Sequence, residues 1–190
     1  MKEKNTYKSR WLTPKAKAYK SSSHGIGIKS IAQIEKGEIV SVLGGIIVPR
    51  TELDEYREKM DHIGIQVNDD FFICPSTRDE INELGAFNHS CHPNVGYTDS
   101  LTLIAIENIP PKTELSFDYA FSETMFEPFR CKCGSKNCRK KIKPSDWKLA
   151  EIQESYLDYF SPYLKDKIEK SKARSKQLTT EHTENTEKEQ

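Results

Sequence analysis

The chain has 190 residues, enough for one compact domain with extensions, and its 29 basic and 29 acidic side chains leave no net charge. That balance argues against wholesale nucleic-acid binding, and no apolar run approaches the roughly 18 residues of a transmembrane span. Met1-Lys2-Glu3-Lys4 lacks the apolar stretch of a signal peptide, so the expected setting is the cytoplasm, or the nucleus and its chromatin in a eukaryotic host. Residues 1–19 are polar and basic apart from Trp11-Leu12 and Tyr19, and read as an arm that packs only locally. From His24 the composition becomes globular. Glu38 to Leu43 predicts a strand ended by Gly44-Gly45, and Ile46 to Val48 resumes it before Pro49. Thr51 to Met60 predicts a helix capped by Thr51, with Leu53 and Tyr56 three apart on its apolar side. Ile63–Val67 and Phe71–Cys74 flank Asn68-Asp69-Asp70 as a hairpin. Thr77 to Leu84 reads as a short helix. Val95–Thr98 and Leu101–Ile106 form another hairpin around Asp99-Ser100, and Glu114 to Tyr119 a further strand. Short strands separated by turn signals predict a mainly β domain. Trp147, Ala150, Ile152, Tyr156, Leu157 and Phe160 recur near helical spacing, with Ser145 or Asp146 as cap, so 144–170 is a helical extension. Residues 171–190 have the composition of a disordered tail.

Cys131, Cys133 and Cys138 crowd three thiols into eight residues around Gly134. In an intracellular chain this density suits tetrahedral zinc better than disulfides. Three thiolates are one short of a closed structural site, and spacing alone leaves both Cys74 and Cys91 open as the fourth ligand.

Asn88-His89-Ser90-Cys91-His92-Pro93-Asn94, followed by Glu114-Leu115-Ser116-Phe117-Asp118-Tyr119, resembles the two signature segments of SET-domain protein-lysine methyltransferases. Gly25-Ile26-Gly27 is similar to the family's Gly-x-Gly motif, and Cys-x-Cys-x4-Cys to its post-SET zinc motif. The motifs stand in the family's order over about residues 20–140, and the helical extension looks like that of small prokaryotic members. The resemblance implies a β-clip fold of short sheets, with a SET domain over 20–122 and a post-SET zinc loop over 123–143. It implies a pseudoknot in which the Asn-His-Ser-Cys segment passes beneath the Tyr119 strand, an exception to the unknotted rule. It also implies methyl transfer from S-adenosylmethionine to a lysine amine of a protein substrate, histone-like or another basic DNA-packaging protein.

Carried over residue by residue, the resemblance assigns cofactor contacts to Gly25, Ile26, Gly27, Asn88, His89 and Tyr119. Tyr119 takes the catalytic position, with Phe117 beside it on the same side of the strand. Cys91 joins Cys131, Cys133 and Cys138 on one zinc ion, and Cys74 is left as a buried thiol. Phe117 leaves more room than tyrosine, which favours di- or trimethylation. No general base is evident. Leu43 stands where many members carry a channel tyrosine, and Gly85-Ala86-Phe87 where many carry an arginine. Ser90 has no nucleophilic constellation around it. Two competing readings remain: a SET-fold binding protein without catalysis, and a zinc-stapled nucleic-acid binder using Arg130, Lys132, Lys136, Arg139, Lys140, Lys141 and Lys143. Nucleic-acid contact is expected to be weak or indirect, membrane contact absent, and the chain monomeric.

Overall fold

The computed structural model describes residues 9–21, 25–60 and 64–174. Its elements in chain order are β1 (Trp11–Leu12), β2 (Ala16–Ser21), β3 (Gly25–Ser30), β4 (Ile39–Val42), β5 (Ile46–Pro49), α1 (Leu53–Met60), β6 (Ile65–Gln66), β7 (Phe71–Cys74), α2 (Arg78–Leu84), β8 (Asn88–His89), β9 (Val95–Tyr97), β10 (Thr102–Ala105), β11 (Glu114–Phe117), β12 (Phe129–Arg130), β13 (Lys141–Ile142), α3 (Ala150–Tyr156) and α4 (162–174). The strands form small sheets in the orders β1-β4-β10-β9, β2-β3-β11-β8 and β5-β7-β6, with the β12-β13 pair separate. This is the mainly β architecture that the turn signals predict. No helix among the described residues is long and apolar enough to cross a membrane.

Side chains from the first two sheets meet in one core, where Ile28, Val40, Leu103, Leu115 and Phe121 are almost fully buried. Phe160, Leu164 and Ile168 of the C-terminal extension close that core from outside. A second cluster joins Val48, Leu53, Tyr56, Phe72 and Cys74, so the predicted apolar side of α1 does face inward.

Several sequence expectations need correction. Residues 11–19 are not a locally packing arm. Trp11 pairs with Val42 across β1 and β4, and β2 runs antiparallel to β3 from Ala16↔Ser30 to Ser21↔Gly25. Backbone pairing holds this segment where its sparse apolar content gives no signal, and Ala16 tucks into the core. Residues 1–8, His24, Ile63 and 175–190 lie outside the described residues. Thr51 does not cap α1. A 3-10 turn at Arg50–Glu52 precedes that helix and has no side-chain cap. The strand expected to reach Tyr119 stops at Phe117 because Asp118 accepts a bond from the Ala120 N–H at 2.9 Å and starts a 3-10 turn, Tyr119–Phe121. The single helix expected over 147–160 is broken at Leu149, which is extended, into a 3-10 turn, α3 and a second 3-10 turn. Neither Ser145 nor Asp146 caps it, and the Asp146 carboxylate is instead held by Arg139. Residues 171–174, expected in the tail, continue α4.

Turn chemistry elsewhere matches the local residues. Asn68 Oδ1 accepts from the N–H groups of Asp70 and Phe71, and Asp99 Oδ1 from those of Leu101 and Thr102, closing the two predicted hairpins. Thr77 caps α2 through the Glu80 N–H.

The contact that places the site is a parallel one, β8 beside β11, with Asn88 opposite Ser116 and His89 opposite Phe117. Ser90 N–H donates to the Phe117 carbonyl at 3.0 Å. Asn94 doubles the clasp: its Nδ2 donates to the Glu114 carbonyl at 2.8 Å and its Oδ1 accepts from the Ser116 N–H at 3.0 Å. Asn94 is buried, so truncation strands both β11 groups without water. Asn94→Ala is expected to lower unfolding free energy by about 2–4 kcal/mol in urea titrations, the cost of two orphaned buried groups.

Candidate active site

Two cavities meet around Tyr119. The smaller, about 130 Å³, is bordered by Leu43, Ile65, Tyr97, Phe117, Tyr119 and Glu123. The larger, about 360 Å³, is bordered by Gly25, Ile26, Arg78, Asn82, Asn88 and Tyr119. Ala86 and Phe87 border both, so the stretch that lacks the family's arginine becomes part of the partition. Tyr119 Oη donates to the Phe87 carbonyl at 3.3 Å. Burial pushes the Tyr119 hydroxyl well above the ordinary phenol range, so it stays a protonated donor at neutral pH. Its ring packs on Phe117 at 5.2 Å between centroids and edge-on against His89, Phe126 and Phe129. Phe117 and Tyr119 are therefore neighbours through a bend rather than along one strand face.

Gly27 acts one layer behind the larger cavity. A Cβ there would lie 2.8 Å from the Tyr19 ring and 3.0 Å from both Asn88 Nδ2 and Glu114 Oε1. Its absence lets Asn88 donate to Glu114 at 2.7 Å, which fixes the asparagine at the cavity wall.

His89 faces another way. The Tyr119 N–H donates to its Nδ1 at 3.3 Å, and its Nε2 lies 3.4 Å from Cys91 Sγ. With Nδ1 accepting, the ring proton belongs on Nε2, directed at sulfur. Burial lowers the imidazole to about 4, a shift that nearby Arg139 reinforces and Asp118 opposes. The ring is thus a neutral link between the tyrosine turn and the cysteine cluster.

The Sγ atoms of Cys91, Cys131, Cys133 and Cys138 lie within 4.8 Å of one another, and Cys91 and Cys131 are 3.8 Å apart. Zinc–sulfur bonds of about 2.3 Å in a tetrahedron require edges of about 3.8 Å, so this donor set fits zinc in number, type and size. Arg139 N–H donates to Cys91 Sγ and Cys133 N–H to Cys131 Sγ, each at 3.5 Å, the polarisation a thiolate site needs. Between the two cysteines left open by spacing, the fold chooses Cys91. Cys74 packs with Val48, Leu53 and Phe72, and burial pushes its thiol up to about 11.

Arg139 does not belong to a free basic face. Its guanidinium makes a two-pronged bond to Asp118 at 2.6 and 2.8 Å and a third bond to Asp146 at 3.0 Å. One member of the proposed nucleic-acid stretch is thereby removed into the site's frame.

Two residues that border the smaller cavity are not among the site residues expected from the sequence. Tyr97 is almost fully buried, and its hydroxyl makes no hydrogen bond of normal geometry among the described residues, although the Ser122 hydroxyl lies close by. Its alternation with Val95 marks one strand face, but nothing local marks that face as a channel. Glu123 lies buried at the same cavity, and burial pushes its carboxyl up to about 8 against the pull of Arg57. An acid in an irregular segment carries no sequence signal for this position.

The family profile described as SET domain matches residues 25–120, just over half of the chain. Histone-lysine N-methyltransferase 2B of Homo sapiens is 33% identical over 135 residues, covering 64% of this chain and 5% of that protein. The H3 lysine-9 specific SUVH1 histone-lysine N-methyltransferase of Nicotiana tabacum is 28% identical over 152 residues, covering 66% of this chain and 22% of that protein. Among solved structures, KRYPTONITE in complex with mCHG DNA and SAH superposes with a TM-score of 0.51 at 25% identity, over 68% of this chain and 29% of that one. The methyltransferase domain of human SETMAR superposes with a TM-score of 0.52 at 24% identity, over 68% of this chain and 58% of that one. The chain spans a small part of these curated relatives, and the matched part holds the Gly-x-Gly, Asn-His-Ser-Cys and Asp-Tyr segments that meet around the two cavities: it belongs to the SET-domain family.

Proposed function

We propose that this chain is an S-adenosylmethionine-dependent protein-lysine N-methyltransferase stapled by zinc. The observation that carries this reading is Tyr119, which borders both cavities at the one place where they meet. The larger cavity is the cofactor side, with Gly25, Ile26 and Asn88 at its wall, and the smaller is the channel for a lysine side chain. Support comes from the relatives, which are named as histone-lysine methyltransferases, and from the KRYPTONITE structure, which contains SAH.

S-adenosylmethionine supplies a methyl group on a positively charged sulfur. The chain's own residues align the lysine amine with it and keep water away. Alignment of reactants is worth up to roughly 7–11 kcal/mol of a barrier. Leu43, Phe117 and Phe87 make the channel apolar, which disfavours an ammonium and lowers a lysine from its solution pKa of about 10.4. The Tyr119 hydroxyl, kept protonated, is a fixed dipole at the junction. Labelled-methyl transfer into core histones and a host lysate tests the reading: Tyr119→Phe is expected to lower labelling roughly 10²-fold, the scale of losing one preorganised donor. Unchanged labelling sinks the assignment.

Zinc would be held by Cys91, Cys131, Cys133 and Cys138, and its role is structural closure of the 123–143 loop over the tyrosine turn. Metal analysis of the purified protein should find stoichiometric zinc, and Cys91→Ser should release it. Because His89 joins Cys91 to Tyr119, the same substitution should weaken cofactor binding in calorimetry.

The substrate is a protein with an accessible lysine, histone-like or another basic packaging protein. Phe117 leaves room for a bulkier amine, which favours di- or trimethylation, while the buried Tyr97 hydroxyl offers the channel a polar anchor in place of the one missing at Leu43. Mass spectrometry of methylated substrate should show higher methylation states, and Tyr97→Phe should shift products further toward them. Monomethylation alone by both proteins contradicts this view of the channel.

A further inference from the structure

The smaller cavity contains an acid that the methyl-transfer scheme does not use. Glu123 is buried there, beside Tyr119, and among the described residues no ion pair or side-chain hydrogen bond engages its carboxylate, on which Arg57 acts only through its charge. Its backbone is held on every side. Its own N–H donates to the Tyr119 carbonyl at 3.1 Å. The next residue, Thr124, donates to Gln66 Oε1 from its N–H at 2.9 Å and its hydroxyl at 3.0 Å. Arg57 Nη2 then donates to the Met125 carbonyl at 3.0 Å. A carboxylate buried at a cavity wall is costly unless it keeps a proton or a cation comes to it. An apolar channel that receives lysine brings one.

We propose that Glu123 is the general base of this site, accepting the proton of the substrate lysine's ammonium, a role that rests on the methyltransferase reading above. One Glu123 oxygen forms an O–H bond as an N–H bond of the ammonium breaks, and the electron pair stays on nitrogen. That pair then makes the new N–C bond at the methyl group while the pair of the broken C–S bond stays on sulfur. Glu123 passes its proton to bulk water when the channel reopens.

The surrounding groups leave this carboxyl as the one that titrates near neutrality. Arg57 of α1 and Arg10 before β1 are cations, and Arg10 is drawn to Glu80. Cys74 of β7 is pushed up to about 11, and the hydroxyls of Tyr97 and Tyr119 higher still. Glu123 itself is pushed up to about 8 by burial, against the pull of Arg57. A base works as its carboxylate, so kcat/KM, which reports the free protein, should rise with pH through this value as the base forms, while kcat should rise at lower pH because a bound ammonium favours the carboxylate.

The test compares the full chain with Glu123→Gln and Glu123→Asp, after zinc content and cofactor calorimetry show that each variant folds. With core histones as substrate, Glu123→Gln is expected to lower kcat roughly 10²-fold, within the range of a lost general base. Its rate should keep climbing with pH as solvent takes the proton of the bound ammonium instead, so the deficit narrows at high pH, and Glu123→Asp should recover part of the activity. Equal kcat and pH dependence in wild type and Glu123→Gln overturn the proposal. A second readout needs no methyl transfer: n-butylammonium, a mimic of the lysine side chain, should bind the wild type, move the carbon-13 resonance of the Glu123 carboxyl, and bind Glu123→Gln more weakly. Butylammonium binding that ignores Glu123 also overturns it. If no protein is methylated but butylammonium still depends on Glu123, the methyltransferase reading fails while the carboxylate's capture of an alkylammonium stands.

Discussion

Arg139 reaches back from the cysteine loop and grips Asp118, the residue before Tyr119, with two nitrogens at 2.6 and 2.8 Å. Asp118 is almost completely buried and Arg139 largely so. Removing one member of such a pair strands the other, at a cost of about 3–5 kcal/mol. Asp118 has a second duty, because its Oδ1 also caps the Tyr119 turn. The bend that turns Tyr119 out of β11 and into the two cavities is therefore held by a residue that the cysteine loop holds in turn. Asp146 completes the arrangement from the C-terminal extension, so three separate chain segments share one guanidinium. Arginine is the residue suited to this, since its planar fork can serve two carboxylates at once.

The cysteine cluster and the ion pair are two routes from the same loop to the same turn. Cys91 lies two residues after His89, and His89 accepts from the Tyr119 N–H through the nitrogen that faces away from sulfur. Neutrality of that imidazole matters to the geometry: a protonated ring could not accept the bond. Burial enforces it. Arg139 adds to the coupling by donating its own N–H to Cys91. The sulfur atoms and the Tyr119 turn are thus joined by a short run of hydrogen bonds through His89.

How much of this was legible depends on whether the signal is local. The Asn88–Asn94 and Glu114–Tyr119 segments announced themselves by residue type, and the hairpins at Asn68 and Asp99 by turn chemistry. Cys131, Cys133 and Cys138 are legible as candidate metal ligands, but the gathering of Cys91 rather than Cys74 beside them depends on a parallel strand pairing that spacing does not encode. The end of β11 was misread because Glu114 to Tyr119 looks continuous, and only the competition of the Asp118 side chain for backbone breaks it. The N-terminal strands were missed for the opposite reason. Ala16, Lys17, Ala18 and Lys20 have little β-preference of their own, and β2 exists because β3 offers it an open edge.

Glu123 shows where sequence reading stops in principle. Nothing near it in the chain is periodic, and an acid between Ser122 and Thr124 reads as a solvated loop. Its position is set by the Tyr119 carbonyl, which takes its N–H, and by Gln66 and Arg57, which hold the next two residues, Thr124 and Met125. Such a group lowers the stability of the fold: burial raises its pKa, so as pH climbs from its unfolded value toward about 8 the unfolded chain releases a proton that the folded one keeps, and past about 8 the fold must bury an ionised carboxylate. A fold keeps a destabilising acid at no benefit to its core. The proposed compensation is a ligand with a cationic end, received among Leu43, Phe87 and Phe117 at the cavity wall.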